Sequence, residues 1–291
     1  MLAKDLIRQV RRIEIKTRRL VDENLAGKYH SAFKGQGMEF SEVRAYQAGD
    51  DIRSIDWNVT ARMGEPYIKK FVEERELTVM LLVDMSGSTE FGSTFRSKRD
   101  LAAELTALFA FSAIKNQDKV GCLIFTDKVE CYIAPKKGQK HVLRLIREIL
   151  AFEPQRVGTN IGEALRFFSK VAKRKTVVFL ISDFMDQQFL TPLQAVQNKH
   201  DLIALPIVDP LEQNPPQRGL FYLEDGEACR EMLVDFSSPR VRQAYLKRAQ
   251  ERQAELDRIF LKSQVDHIPL VCGTAYEKEL VKFFKLRELR R

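Results

Sequence analysis

Four short runs of almost continuous apolar residues set the limits on this fold: LTVMLLVD (77–84), VGCLIFT (120–126), TVVFLIS (176–182) and DLIALPIVD (201–209). Each is too short for a buried helix, and apolar residues occupy both parities, so both faces of each strand are buried. Helical patterns separate them, at 96–115, 138–152, 160–174 and about 190–198. Strands buried on both faces and alternating with helices predict an α/β chain, a doubly wound, Rossmann-like and mostly parallel sheet. VECYIAP (129–135) follows VGCLIFT after only Asp127 and Lys128, which predicts a hairpin.

The flanking segments read differently. Leu2, Leu6, Val10, Ile13, Thr17 and Leu20 recur at helical spacing, predicting an amphipathic docking helix over 2–26 that Gly27 stops, with a solvated basic face. Over 35–75, Gly35, Gly37, Gly49 and Gly64 punctuate short extended pieces. Trp57, Val59, Ala61 and Met63 alternate as in a strand, and Gly64-Glu65-Pro66 then reads as a turn into a second strand, Tyr67–Glu73. The expected organisation is residues 1–75 as a helix plus small β-hairpin element, then 76–291 as the main domain with a C-terminal helical extension. Within the latter, 211–235 is loop-rich with one edge hairpin, 238–263 a long charged helix, 265–272 a last strand and 275–289 a last helix.

The net charge of +8 invites an anionic partner, but its distribution argues against nucleic acid. Residues 1–34 carry +5 and residues 238–291 carry +6, leaving −3 in the middle. The basic residues are interspersed with acids and no nucleic-acid motif occurs, so the ends are expected at most to steer an acidic protein surface, Arg11, Arg12 and Arg18 among them. If the termini pack together, the first helix and the C-terminal FFKLRELRR would form one basic patch. No apolar run approaches the ~20 residues of a transmembrane helix. The charged N-terminus lacks a signal-peptide core. Cys122, Cys131, Cys229 and Cys272 are isolated and form neither a zinc motif nor a disulfide framework. A reducing cytoplasm is the expected compartment. The four histidines form no motif and are expected to be surface or satisfied side chains.

In open α/β sheets, function gathers at the carboxyl ends of the strands. There the first strand ends in Asp84-Met85-Ser86-Gly87-Ser88, a D-x-S-x-S sequence. Gly158-Thr159-Asn160 opens a helix, and the next parallel strand ends in Ser182-Asp183. Singly, Asp84 would serve as a turn or helix cap and Thr159 as an N-cap. Together, two carboxylates and three hydroxyls form a hard-oxygen set suited to Mg²⁺ or Mn²⁺. Two carboxylates under-coordinate such an ion and leave an open position.

DMSGS, GTN and SD together resemble the metal-ion-dependent adhesion site of von Willebrand factor type A domains, a resemblance spanning roughly 76–272. It implies that Asp84, Ser86, Ser88, Thr159 and Asp183 hold the ion and that a partner's Asp or Glu completes its shell. GMEFSEVRAYQAGDDIRSIDWNVTARMGEPYIKKFVEERE (37–76) resembles the signature of the bacterial domain of unknown function 58 family, extending the resemblance over nearly the whole chain. That family implies a protein-interaction accessory, chaperone-like in role, that works with a MoxR-type AAA+ ATPase. Within 37–76, Arg44, Tyr46, Asp50, Asp51, Arg53, Asp56, Trp57 and Arg62 read as a polar network pinning this element to the type A domain; the other reading is a partner-contact surface.

Two rival functions stand beside a metal-dependent binding module. A Mg²⁺-dependent hydrolase using Asp84 would want a second aspartate two positions on, where this chain has Ser86. Neither G-x-S-x-G nor a P-loop occurs, so no enzyme is expected. Nucleic-acid binding through the basic termini would show as steep salt dependence.

Overall fold

The computed structural model describes residues 3–22, 26–33, 39–72, 76–154, 158–225 and 230–290. Gly35, Gly37, Cys229 and the side chain of His30 lie outside the described set. Strand β3 (Thr78–Asp84) is central, flanked in parallel by β4 (Lys119–Phe125) and β6 (Val177–Ser182). β5 (Val129–Lys136) runs antiparallel to β4 as the outer strand on one side. On the other side β7 (Asp201–Val208) pairs in parallel with β6, and the short β10 (Asp266–His267) and β11 (Leu270–Val271) both pair with β7. The order β10-β7-β6-β3-β4-β5 is that of a mostly parallel sheet, as expected from the apolar runs.

The alternation within β3 divides the core into two. Val79, Leu81 and Val83 face one layer, which contains residues of α4 (Lys98–Lys115), α5 (Gln139–Leu150) and α10 (Glu277–Leu289). Met80 and Leu82 face the other, with α6 (Ile161–Val171), α7 (Leu190–Gln197) and α9 (Pro239–Ser263). α4 is buried from Leu101 to Ala113 on every side. Its outer face is covered by α1 (Ala3–Leu20) and α2 (Ala26–Phe33), so a helix without an amphipathic stripe is satisfied here.

The N-terminal helical segment is therefore in part internal. α1 spans Ala3–Leu20 and α2 Ala26–Phe33, so Gly27 lies inside a helix rather than at a stop, and residues 23–25 lie outside the described set. Tyr29 and Phe33 of α2 are fully buried, with Phe33 edge-on to Phe179 and Phe284. The helical part of 1–75 thus belongs to the core of the main sheet. The C-terminal patch is also altered, because Phe284 and Arg287 of FFKLRELRR are buried, with Arg287 ion-paired to Asp201 and over the Phe33 ring.

The small β element is real but differently built. Residues Trp57–Met63 form helix α3, not a strand, and the partner of β2 (Tyr67–Val72) is β1 (Glu39–Ala45), antiparallel with a bulge at Phe40/Glu42. Capping overrode the alternation. Asp56 accepts from Asn58 N (3.0 Å) and Val59 N (3.4 Å), and Gly64 ends the helix at φ 80°. Arg44 pairs with Asp50 at 2.7 Å and Lys69 with Asp56 at 3.1 Å. These pairs tie the element to itself, whereas the polar-network reading had expected ties to the main domain.

Two other expectations change. β8 (Leu220–Asp225) and β9 (Arg230–Asp235) form their own two-stranded sheet instead of an edge of the main one. It follows the one-turn helix α8 (Pro210–Gln213). His200 is buried with neither ring nitrogen hydrogen-bonded and its edge on Phe168, so it is an apolar filler; burial lowers its pKa and keeps it neutral. Among the described residues no helix is long and apolar enough to cross a membrane.

Candidate metal centre at the strand ends

Parallel pairing places Asp84 at the end of β3 beside Phe125 of β4, while β6 ends one residue beyond the Val83–Ile181 pair, at Ser182. The side chains that the apolar strands exclude collect here. Asp84, Ser86, Ser182 and Asp183 are all buried. Asp84 Oδ1 accepts from Ser86 N at 3.0 Å, and Asp84 Oδ2 accepts from Ser182 Oγ at 2.5 Å. Ser86 Oγ and Ser88 Oγ lie 3.2 Å apart as the chain enters a 3₁₀ turn over Gly87–Glu90, which Thr89 braces by donating to Ser86 O at 2.7 Å.

Thr159 is partly buried and is not the helix cap; Asn160 is, accepting from Glu163 N at 2.8 Å. Its loop is held on both sides of β3. Asn160 N donates to Thr126 O (2.9 Å) just past β4, and Ile161 N donates to Asp186 Oδ2 (2.9 Å) in the loop after β6. The three segments DMSGS, GTN and SD are thus brought to one edge of the sheet.

Asp183 meets a residue that the motif reading did not anticipate. Lys98 Nζ, on the first turn of α4, is 2.6 Å from Asp183 Oδ2 and 2.8 Å from Glu212 Oε1. Lys98 and Asp183 side chains are each only 1% exposed. Arg252 of α9 donates to Asp183 O at 2.7 Å. Phe184, immediately after, is held at φ 54° with Ser182 Oγ accepting from its N–H at 2.9 Å. A buried phenylalanine in the left-handed region is strained, and its place beside Asp183 fits the clustering of strain at functional sites.

Electrostatics follow from burial. Asp84 is pushed up to about 7, first by burial and then by repulsion from Asp183, with the hydrogen bonds from Ser182 and Ser86 opposing. For Lys98, burial pulls downward, but Asp183 and Glu212 outweigh it and hold the ammonium above its ordinary value. Lys98 pairs with Asp183 and Glu212, while Asp84 is buried against Asp183. With Asp84 also ionised, the group would carry excess negative charge beside two adjacent serine hydroxyls. That donor set fits a hard divalent cation.

Sequence signals existed for the residues missed. Asp209-Pro210-Leu211-Glu212 is a capping box, with Asp209 N donating to Glu212 Oε2 at 2.9 Å. Lys98 is the first residue of α4, a helix buried from Leu101 to Ala113.

The chain matches the family model described as Protein of unknown function DUF58 over residues 42–255. An uncharacterized protein of Mycobacterium tuberculosis is 30% identical over 254 residues, covering 86% of this chain and 79% of the relative. Among solved structures, similarity extends to the conserved hypothetical protein BatB from Bacteroides thetaiotaomicron (13% identity, TM-score 0.47, 72% of this chain and 98% of that one). It extends also to the SpRpn10 VWA domain (11% identity, TM-score 0.41, 71% and 94%). The chain belongs to the family of proteins of unknown function DUF58.

Proposed function

We propose that this protein is a binding module in which Asp84, Ser86, Ser88, Thr159 and Asp183 hold Mg²⁺ or Mn²⁺ and present it to an acidic residue of a protein partner. The observation that carries this reading is the burial of Asp84 against Asp183 beside the paired hydroxyls of Ser86 and Ser88. When bound, the ion supplies a strong directional contact to an outside carboxylate. Ser86 and Ser182 orient Asp84, and the backbone N–H of Met185 donates to Asp183 Oδ1 at 3.3 Å.

Binding rather than turnover is the reading because the sequence carries neither the G-x-S-x-G nucleophile elbow nor a P-loop. The partner best matched by the family resemblance is a MoxR-type AAA+ ATPase or its client. The outward face of α1, with Arg11 and Arg12 exposed, would steer an acidic surface.

Capture of the purified ATPase with Mg²⁺ and with EDTA tests the reading. Capture should need the metal and should vanish in Asp84→Ala with the fold intact. Equal yield from Asp84→Ala would overturn it.

A further inference from the structure

Lys98 is a fully buried cation whose ammonium contacts Asp183 of the candidate metal centre. Its backbone N–H donates to Phe91 O at 3.1 Å, and its Nζ lies 5.9 Å from the Phe91 ring centroid. At that end of the side chain it bridges Asp183 and Glu212. Glu212 in turn accepts from Asp209 N, and Asp209 Oδ2 accepts from Ser93 N at 2.8 Å. Lys98 therefore connects the carboxylate at the end of β6 to a second carboxylate on α8, and Glu212 is itself held in place by its capping box.

Resting on the metal reading above, we infer that Lys98 is a resident counter-cation of the site: it occupies Asp183 Oδ2, and a divalent ion has to compete with it for that carboxylate. The physical reason is that like charges repel strongly where water is excluded. A dication brought to Asp183 would face an ammonium already 2.6 Å from the same carboxylate. Glu212 relieves this competition by offering the ammonium another carboxylate on its far side. Lys98 is in this sense a positioning residue that sets how tightly the centre takes an ion. Weak intrinsic affinity makes stable occupancy depend on the extra carboxylate a partner brings.

The test is direct Mn²⁺ titration, by calorimetry and by the spin-resonance signal of free Mn²⁺, on wild type, Lys98→Met, Glu212→Gln and Asp84→Ala. Lys98→Met should bind Mn²⁺ at least tenfold more tightly than wild type. Its melting temperature should fall in EDTA and recover with Mn²⁺ by more than wild type gains. Glu212→Gln should move the other way, binding at least threefold more weakly, because the ammonium is left with Asp183 alone. A merely structural lysine would not tighten metal binding, nor would the two variants shift it in opposite directions.

Folded Lys98→Met with unchanged or weaker affinity overturns the inference while leaving the metal reading standing. If Lys98→Met does not fold, Glu212→Gln decides, and unchanged or tighter binding there overturns it. If neither wild type nor Lys98→Met binds Mn²⁺ more tightly than Asp84→Ala, the metal reading itself falls and the inference with it.

Discussion

Ser182 Oγ donates to Asp84 Oδ2 at 2.5 Å, joining the last residues of two adjacent parallel strands, β6 and β3. The same oxygen of Ser182 accepts from Phe184 N, so one hydroxyl orients the first carboxylate of the site and the strained turn that carries the second. Ser182→Ala should therefore weaken Mn²⁺ binding by about 10–100-fold, the usual consequence of losing an orienting partner behind a ligand. It should also cost about 1–3 kcal/mol of stability, because a buried carboxylate oxygen is left unsatisfied. Metal titration and urea unfolding check the two effects separately.

Asp118 predicts a pH dependence away from the site. One of its oxygens accepts from Leu77 N at 2.9 Å, and the side chain is largely buried. Burial chiefly pushes its pKa up to about 6, against an unfolded value near 4. The folded state then holds a proton that the unfolded state releases, so this contribution favours folding at low pH and declines as pH rises from about 4 to about 6. Subtracting the Asp118→Asn stability profile from wild type, by urea unfolding between pH 4 and 7, should show that decline. A flat difference would contradict it.

The pair between Arg287 and Asp201 ties α10 to β7, and both side chains are almost fully buried. Truncating one partner of a buried pair leaves an uncompensated charge. Arg287→Ala is expected to cost about 3–5 kcal/mol. The melting temperature should fall sharply, and amides of α2, whose Phe33 lies under the guanidinium, should lose hydrogen-exchange protection.

Gly121 lies within β4 where β4 and β5 fall out of simple register. A Cβ there would meet Met80 Sδ at 2.6 Å, Ile133 O at 2.8 Å and Pro135 N at 2.9 Å. Backbone atoms cannot withdraw as a side chain can, so Gly121→Ala should destabilise by about 1–3 kcal/mol. Thermal unfolding measures it directly.

Trp57, the only tryptophan in the chain, is 68% exposed on α3. Trp57→Ala should change stability by less than about 0.5 kcal/mol. Asp56→Ala, which removes the cap of the same helix, should cost about 1 kcal/mol. Denaturant melts of both variants followed by circular dichroism check the contrast.

Much of the main fold was legible because its signal is redundant. Runs such as 79–83 and 177–181 are apolar at every position, and only a strand covered on both faces uses such a run at that length. The segment 57–63 was not legible from its alternation. A seven-residue pattern fits a strand as readily as two turns of helix, and the decision rested on Asp56 and Gly64, whose capping geometry is local but directional. Gly27 does not stop the first helical segment because α2 is positioned by the aromatic core around Phe33, a long-range contact that no local spacing encodes.

At the candidate site the division is similar. The order D-x-S-x-S, G-T-N, S-D could be read from the chain because each piece falls where a parallel sheet turns its strand ends outward. The sequence by itself thus determined the sheet, its two covered faces and the edge at which polar oxygens gather. Only the tertiary structure decided which charges meet there. Lys98 and Glu212 are 114 residues apart, and Lys98 and Asp183 are 85 apart. Helix packing, not spacing, brings all three within one buried volume, where a missing or added charge is most strongly felt.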